Sequence, residues 1–110
     1  MKRLFKETDR FRRRAGEVGL DDEMLMSAQQ DILNGLGDVI AGTAGLKKIR
    51  CSAQGRGKRG GMRIIFADYP SAGVTYLLWV WPKNQAGNLT SDKKELLRKL
   101  KLMINKEVQQ

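Results

Sequence analysis

Residues 74–81 constrain the fold more than any other segment of this sequence, because they form an almost continuous apolar run interrupted by Thr75. A run of β-branched and aromatic residues of this length is typical of a central strand that is buried on both faces. Residues 63–69 have the same character, and the turn-forming residues 70–73 separate the two runs. The sequence therefore predicts two antiparallel strands, the second of them covered on both sides.

Two helices are predicted between a short N-terminal strand, which begins at residues 4–5, and this sheet. Thr8 or Asp9 caps the first helix, and its apolar positions, spaced i, i+4 and i+7, are Phe11, Ala15 and Val18. Asp21 or Asp22 caps the second helix, and its apolar stripe consists of Leu25, Ala28, Ile32 and Leu33. A glycine follows each helix, so the two form a hairpin.

Residues 46–51 are predicted as a further strand, and residues 37–45 before it as a loop. Near the C-terminus, Thr90 or Ser91 caps a last helix. Its predicted buried stripe consists of Leu96, Leu100 and Met103 together with Leu97 and Ile104. The fold class that follows is α+β: a short N-terminal strand, a two-helix hairpin, a three-stranded antiparallel meander and a C-terminal helix, in a single domain of residues 1–110.

The charge balance limits the partners that this chain can bind. The 21 Lys and Arg residues against 12 Asp and Glu give a formal net charge of +9, which favours nucleic acid as the partner first and an acidic protein second. A basic domain without a bound anion is the alternative. Cys51 is the single cysteine, so no internal disulfide can form, which fits a reducing cytosol. We recognise no signal peptide and no membrane-spanning run, and therefore expect a cytoplasmic protein without a membrane partner.

A glycine-rich basic segment, residues 55–63, carries the most distinctive chemistry, and its cations are Arg56, Lys58, Arg59 and Arg63. Glycines let a backbone approach a phosphate closely, and the strand that follows should hold Arg63 in place. The segment matches G-x-G-x-x-G, but a dinucleotide site needs a helix after that pattern, and a strand is predicted here. A Walker loop and a carboxylate pair spaced for Mg²⁺ are absent from the sequence, so no cofactor or metal is expected.

The chain has no histidine, so the usual acid–base pair of ribonucleases is excluded. In an antiparallel meander the end of the third strand lies beside the start of the second, and Lys83 should therefore approach Arg63. Crowded cations lower the pKa of a lysine, which can then act as a base, whereas an arginine stays charged and can stabilise a pentacoordinate phosphate. These groups could support cleavage of RNA by its own 2′-hydroxyl. Phosphate binding without cleavage is the alternative that the residues leave open.

Four stretches together resemble the HigB-type branch of the RelE toxin superfamily: residues 42–50, 55–66, 76–78 and 83–84. The order of predicted elements extends the resemblance to the whole chain. It implies a compact RelE-like fold and the toxin of a type II toxin–antitoxin system, an mRNA interferase that enters the ribosomal A site and cuts the mRNA there. It also implies a cognate antitoxin, HigA-like with a helix-turn-helix domain, and contact with operator DNA only through that antitoxin.

The resemblance assigns roles to individual residues of this sequence. Lys58 matches a lysine in the base or phosphate-contacting role, Arg63 the arginine that stabilises the transition state, and Lys83 the lysine after the last strand. These three are the predicted catalytic residues. The predicted RNA contacts are Arg56, Arg59, Asn84, Lys47 and Lys48.

Three positions depart from the family pattern. Pro82 replaces a small residue, Gln85 replaces a frequent acid, and no aromatic residue follows Asn84 to stack on a displaced base. Trp79 or Trp81 could stack instead, although a Trp in such a strand more often packs in a core.

The function expected from the sequence is that of a metal-independent, ribosome-dependent endoribonuclease that inhibits translation. The alternative is a non-catalytic RNA- or ribosome-binding protein, or an inactive toxin that still binds an antitoxin. Direct DNA binding is disfavoured, because no helix pair has an evident recognition helix and the cations concentrate on a loop.

Overall fold

A five-stranded sheet with helices on both faces forms the body of the protein, and a computed structural model describes it over residues 2–51, 61–82 and 89–109. The elements in chain order are β1 (Leu4–Glu7), α1 (Asp9–Val18), α2 (Asp22–Leu33), β2 (Asp38–Val39), β3 (Lys47–Cys51), β4 (Met62–Tyr69), β5 (Val74–Pro82) and α3 (Ser91–Gln109). The predicted α+β class is confirmed, with strands β3, β4 and β5 as the antiparallel meander.

The strand order is β1-β5-β4-β3-β2, so the apolar strand β5 lies in the interior of the sheet, as predicted. Strand β1 pairs in parallel with β5, and the other neighbours are antiparallel. A β-bulge adds one residue, Leu78, to β5, because Ile65 pairs with Trp79 and Phe66 with Leu77. β5 therefore contributes side chains to the cores on both faces of the sheet.

The core consists of two clusters separated by the sheet. On one face, α1 and α2 cover the first cluster, whose largest members are Phe11, Met24, Ile32, Ile64, Phe66 and Leu77. On the other face, α3 covers the second, which includes Leu46, Ile65, Tyr76, Leu78, Trp81 and Ile104. Because side chains alternate between the two faces of a strand, β4 and β5 each contribute to both apolar layers.

The predicted helix starts are confirmed at their caps. The side chain of Thr8 accepts a hydrogen bond from the backbone N–H of Phe11, and that of Asp21 accepts one from Met24. Thr90 caps α3 in the same way by accepting from the backbone N–H of Lys93.

The segment predicted as a loop at residues 37–45 contains the short edge strand β2, which the sequence analysis missed. Two residues are too few to show an alternating pattern, and the pairing depends on Gly37. This glycine has a φ of 125°, and a Cβ atom there would lie 2.8 Å from Cζ of Phe66. A tertiary contact rather than strand propensity therefore places β2.

The buried face of α3 is rotated relative to the predicted stripe, and that prediction is wrong for two of its residues. Leu96 and Met103 are 63% and 67% exposed, whereas Ile104 is buried and Leu97 and Leu100 pack against the sheet. A charged residue, Lys101, occupies the buried face instead. An apolar pattern alone does not predict a lysine there, and the stripe was therefore assigned to the neighbouring apolar positions.

Lys101 is accommodated by polar and aromatic groups. Its Nζ donates a 2.6 Å hydrogen bond to Oδ1 of Asn105 and lies 4.7 Å from the ring centroid of Tyr69. The hydroxyl of Tyr69 donates to the same Oδ1 at 2.5 Å. Burial lowers the pKa of Lys101 and raises that of Tyr69 to about 12.

A buried polar network fixes the N-terminal strand. Nη1 of Arg3 donates to Oδ1 of Asp68 at 2.6 Å and to Oγ1 of Thr75 at 3.1 Å, and Thr75 Oγ1 donates to the same carboxylate oxygen at 2.6 Å. Thr75 is fully buried, and the side chains of the ion pair are 14% and 10% exposed. The hydroxyl of Thr75, the polar residue inside the apolar run of β5, thus has hydrogen-bond partners in this network.

Over the described part of the chain, no helix is both long and apolar enough to cross a membrane.

Candidate functional site

Arginine residues meet on the face of the sheet that carries α3. In the register of the meander, Arg63 on β4 lies directly opposite Arg50 on β3 and Trp81 on β5. Like charges directly opposite each other destabilise a sheet. Arg50 is exposed and Arg63 is half-buried, so both guanidinium groups can reach an anion from solvent.

Two depressions flank Arg63, and we call them together the cationic cleft. The first, of about 420 Å³, is lined by Gly37, Asp38, Lys48, Ile49, Arg50 and Arg63. The second, of about 240 Å³, is lined by Val39, Ile40, Ala41, Lys48, Arg63, Trp81, Leu89 and Lys94. Lys48 and Arg63 belong to both, so a ligand that spans the two depressions passes over these cations.

The second depression combines apolar walls with cationic groups. Trp81 is only 9% exposed and belongs to the core under α3, while Val39 on the edge strand is 63% exposed. Lys94 comes from the first turns of α3, where Thr90 holds the helix start. Such a surface suits a nucleotide, which has an apolar base and a charged phosphate.

Trp79 lies outside the cationic cleft. It lines a separate apolar groove with Arg10, Lys93, Leu89, Leu96 and Leu97. The guanidinium carbon of Arg14 and Nζ of Lys93 lie 5.6 and 5.7 Å from its ring centroid. Of the two tryptophans considered for base stacking, Trp81 is the one that lines the cleft.

The structure brings some of the predicted site residues together and separates others. Arg63 and Lys48 share the cleft, whereas Lys47 lies on the opposite face of β3, where it pairs with Phe66. The remaining predicted residues, Arg56, Lys58, Arg59, Lys83 and Asn84, lie outside the described residues, as does Gln85.

Both segments that carry these remaining residues start at one end of the sheet. Cys51 pairs with Met62, and Met62 also pairs with Pro82. The strand ends on either side of residues 52–60 therefore lie next to the strand end that precedes residues 83–88. The prediction that the end of the third meander strand lies beside the start of the second is therefore confirmed for the described residues. Arg63 follows directly after this end of the sheet.

Three charged residues of the cleft were missed by the sequence analysis: Arg50, Lys94 and Asp38. Strand alternation puts Arg50 on the same face as Lys48, and its position opposite Arg63 follows from the register. Lys94 was recognisable only as a helix residue, and Asp38 was assigned to a loop. Their convergence depends on how β2 and α3 pack, which residue spacing does not reveal.

Other reactive groups are unsuited to chemistry at neutral pH. Cys51 is buried in the core under α1 and α2, and burial raises its pKa to about 11, so its thiol stays protonated. Tyr69 lies at the opposite end of β4 from Arg63. Within the described ranges, no group of Cys, Asp and Glu side chains is arranged to hold a metal ion. The cationic cleft is thus the best candidate site in the described part of the chain.

Comparison with known families gives a match that spans nearly the whole chain. A family model described as the RelE toxin of the RelE/RelB toxin–antitoxin system matches residues 2–110. The match covers both halves of the sheet, all three helices and every residue of the cationic cleft. The chain therefore belongs to the RelE toxin family, the toxins of toxin–antitoxin systems.

Proposed function

We propose that this protein is a ribosome-dependent mRNA endonuclease that inhibits translation. The observation that carries the proposal is the cationic cleft, in which Arg50 and Arg63 lie directly opposite each other in the sheet register and Lys48 lines the same depression. Two arginines placed in this way are stabilised by a shared anion, and the phosphodiester backbone of RNA supplies one.

The reaction that fits these groups is transesterification by the RNA itself. The 2′-oxygen gives its proton to a base, forms a bond to phosphorus, and the bond between phosphorus and the 5′-oxygen breaks. The 5′-oxygen then takes up a proton, which leaves a 2′,3′-cyclic phosphate and a 5′-hydroxyl. We assign the base role to Lys58 or Lys83 and charge stabilisation to Arg63, with Arg56, Arg59, Asn84 and Lys48 as RNA contacts. Lys47, on the opposite face of β3, is left out of this set.

Dependence on the ribosome follows from how weak such a base is. Because the chain has no histidine, the barrier has to be lowered largely by orientation of the 2′-oxygen in line with the scissile bond. A ribosome that holds the mRNA in its A site supplies this orientation. Free RNA would sample many geometries, so we expect slow cleavage without ribosomes.

Within the family, we place the chain in the HigB-type branch, on the four stretches of resemblance between residues 42 and 84. The partner is then a HigA-like antitoxin with a helix-turn-helix domain, through which alone the complex contacts operator DNA. Residues 1–110 act as a single toxin domain in the cytoplasm, where the ribosomes are. No cofactor is needed for the reaction.

A second candidate is a non-catalytic RNA- or ribosome-binding protein. It is favoured by the same pair of arginines, because a phosphate that bridges Arg50 and Arg63 is bound whether or not it is cleaved. The two candidates differ in the fate of the RNA rather than in its position.

The test adds purified protein to ribosomes programmed with a defined mRNA and maps 5′ ends by primer extension. Wild-type protein should cut at the A-site codon, whereas naked mRNA should stay intact and Arg63→Ala should lose cleavage by roughly a hundredfold or more. Lys99→Ala, which removes an exposed cation of α3 outside the cleft, is the matched control and should cut normally. Intact mRNA with folded, antitoxin-free wild-type protein would support the binding candidate instead.

A further inference from the structure

A carboxylate lies in the cationic cleft, where a purely phosphate-binding surface would exclude it. Asp38 lines the depression of about 420 Å³ together with Lys48, Arg50 and Arg63. Its negative charge opposes the approach of a phosphate and weakens the attraction of the neighbouring cations. A cleft that contacted only the RNA backbone would bind more tightly without this residue.

The backbone fixes Asp38 at this position. It pairs with Lys48 across strands β2 and β3, and the tight contact of Gly37 with Phe66 holds the strand start against the sheet. Ile40 continues this anchoring, because its N–H donates to the carbonyl of Leu46 at 2.8 Å. The carboxylate is therefore presented from a defined edge of the cleft.

The carboxylate is also available to a ligand. Asp38 is exposed, and no ion pair within 4.0 Å joins it to Lys48 or to any other residue in the described ranges. The pair of side chains thus offers two acceptor oxygens from Asp38 beside three N–H donors from Lys48.

Guanine matches this pattern of donors and acceptors better than the other three bases. Its Watson–Crick edge presents one acceptor, O6, followed by two adjacent donors, N1–H and N2–H, which a carboxylate can accept as a bidentate pair. Uracil places acceptors on both sides of its single N–H, and adenine and cytosine each offer one amino group next to an acceptor. Single-stranded RNA exposes these edges to a protein, and side chains read them there.

Resting on the proposed function, we propose that Asp38 and Lys48 recognise a guanine of the bound RNA through its Watson–Crick edge. Asp38 accepts from N1–H and N2–H, and Lys48 donates to O6. The depression is of the size of ordinary ligand pockets, roughly 300–1,000 Å³, so a base fits beside the phosphate that Arg50 and Arg63 hold. Asp38 is then a specificity-determining residue, and the base preference of the toxin comes from β2.

The test is an NMR titration of the isotope-labelled protein with 5′-GMP, 5′-IMP and 5′-UMP, followed at the backbone amides of Asp38, Lys48 and Arg50. Mononucleotides allow weak binding to be measured without ribosomes or cleavage. GMP should bind roughly tenfold more tightly than UMP, because a bidentate base contact discriminates by about this factor. IMP, which lacks the N2 amino group, should fall between them.

Two variants with the same change of charge separate recognition from general electrostatics. Asp38→Asn should bring the affinities for GMP and UMP together and strengthen UMP binding, because a repelling charge is removed. Glu107→Gln, at an exposed position of α3 outside the cleft, should keep the preference for GMP.

The remaining outcomes contradict the inference in distinguishable ways. Equal binding of all three nucleotides at the cleft, or a preference for GMP that persists in Asp38→Asn, would overturn guanine recognition and leave the proposed function standing. If no nucleotide shifts the amides of the cleft, guanine recognition is overturned as well, and the cleavage assay on programmed ribosomes decides the proposed function separately.

Discussion

Arg50→Gln should stabilise the fold while it weakens RNA binding, because the same pair of charges causes both effects. In the free protein Arg50 lies directly opposite Arg63 on the neighbouring strand, and the two guanidinium groups repel each other. Glutamine keeps a polar side chain, although a shorter one, and removes the charge. The substitution therefore relieves the repulsion and deletes one of the proposed phosphate contacts at the same time.

The magnitude follows from the position of the pair. Directly opposed like charges in a sheet cost up to about 1 kcal/mol, and since Arg50 is exposed we expect a gain of about 0.5 kcal/mol in the free energy of unfolding. For a domain of this size, such a gain raises Tm by about 2–4 °C. The lost phosphate contact should weaken binding of single-stranded RNA roughly tenfold and reduce the slope of log K against log salt by about 0.7.

Both effects are measurable on the purified toxin. Thermal unfolding by circular dichroism, at about 0.05 M and about 0.5 M salt, should show a gain in Tm that shrinks with salt, since screening weakens repulsion between exposed charges. Fluorescence anisotropy with a labelled oligonucleotide gives the binding constant over the same salt range. Lys99→Gln is the control for the loss of one positive charge, and it should change neither quantity by as much.

Three results would refute this reasoning. A lower Tm would mean that Arg50 and Arg63 are held by an interaction that offsets their repulsion. A gain in Tm that does not depend on salt would point to strand propensity rather than charge. Unchanged RNA binding would show that Arg50 does not face the RNA.

Three further substitutions test how the structure holds the site. Gly37→Ala should lower the free energy of unfolding by about 1–3 kcal/mol in chemical denaturation and shift the NMR signals of β2, because the added Cβ would lie 2.8 Å from Phe66 and the φ of 125° disfavours alanine. Asp68→Ala leaves the charge of Arg3 largely buried without its carboxylate, with only the hydroxyl of Thr75 beside it, and should cost about 3–5 kcal/mol by the same measurement. A loss below about 1 kcal/mol would contradict the network. Lys101→Met tests the sign of a pKa shift. Burial lowers the folded-state pKa of Lys101 below 10.5, so the desolvation cost of its charge is present in full at neutral pH and is relieved as the folded protein loses this proton. The wild-type protein should therefore gain stability relative to the variant as the pH rises through the lowered folded-state pKa towards 10.5, and a pH-independent difference would refute this.

The sequence predicted those parts of the fold that depend on local chemistry. Thr8, Asp21 and Thr90 cap their helices because their side chains accept from a backbone N–H three residues later, a relation that is visible in the sequence. The apolar run of β5 predicted its interior position, because such a run has to be covered on both faces.

The parts that were missed depend on contacts between distant residues. Strand β2 follows Gly37, which lies so close to Phe66 that a larger residue would collide with its ring, and the buried face of α3 includes Lys101, whose amine contacts Asn105 and Tyr69. For the site, the basic segment and Arg63 could be recognised from composition and spacing. Arg50 required the strand register, and Asp38 required a strand that has only two residues.

The pairing of β1 with β5 affects how the protein is made. Leu4 lies beside Val74 and Glu7 beside Leu77, so during synthesis β1 cannot join the sheet until β5 has left the ribosome. The cationic cleft needs still more of the chain, since its walls extend from Gly37 to Lys94. A nascent chain therefore has no assembled cleft until Lys94 has been synthesised and α3 can pack on the sheet.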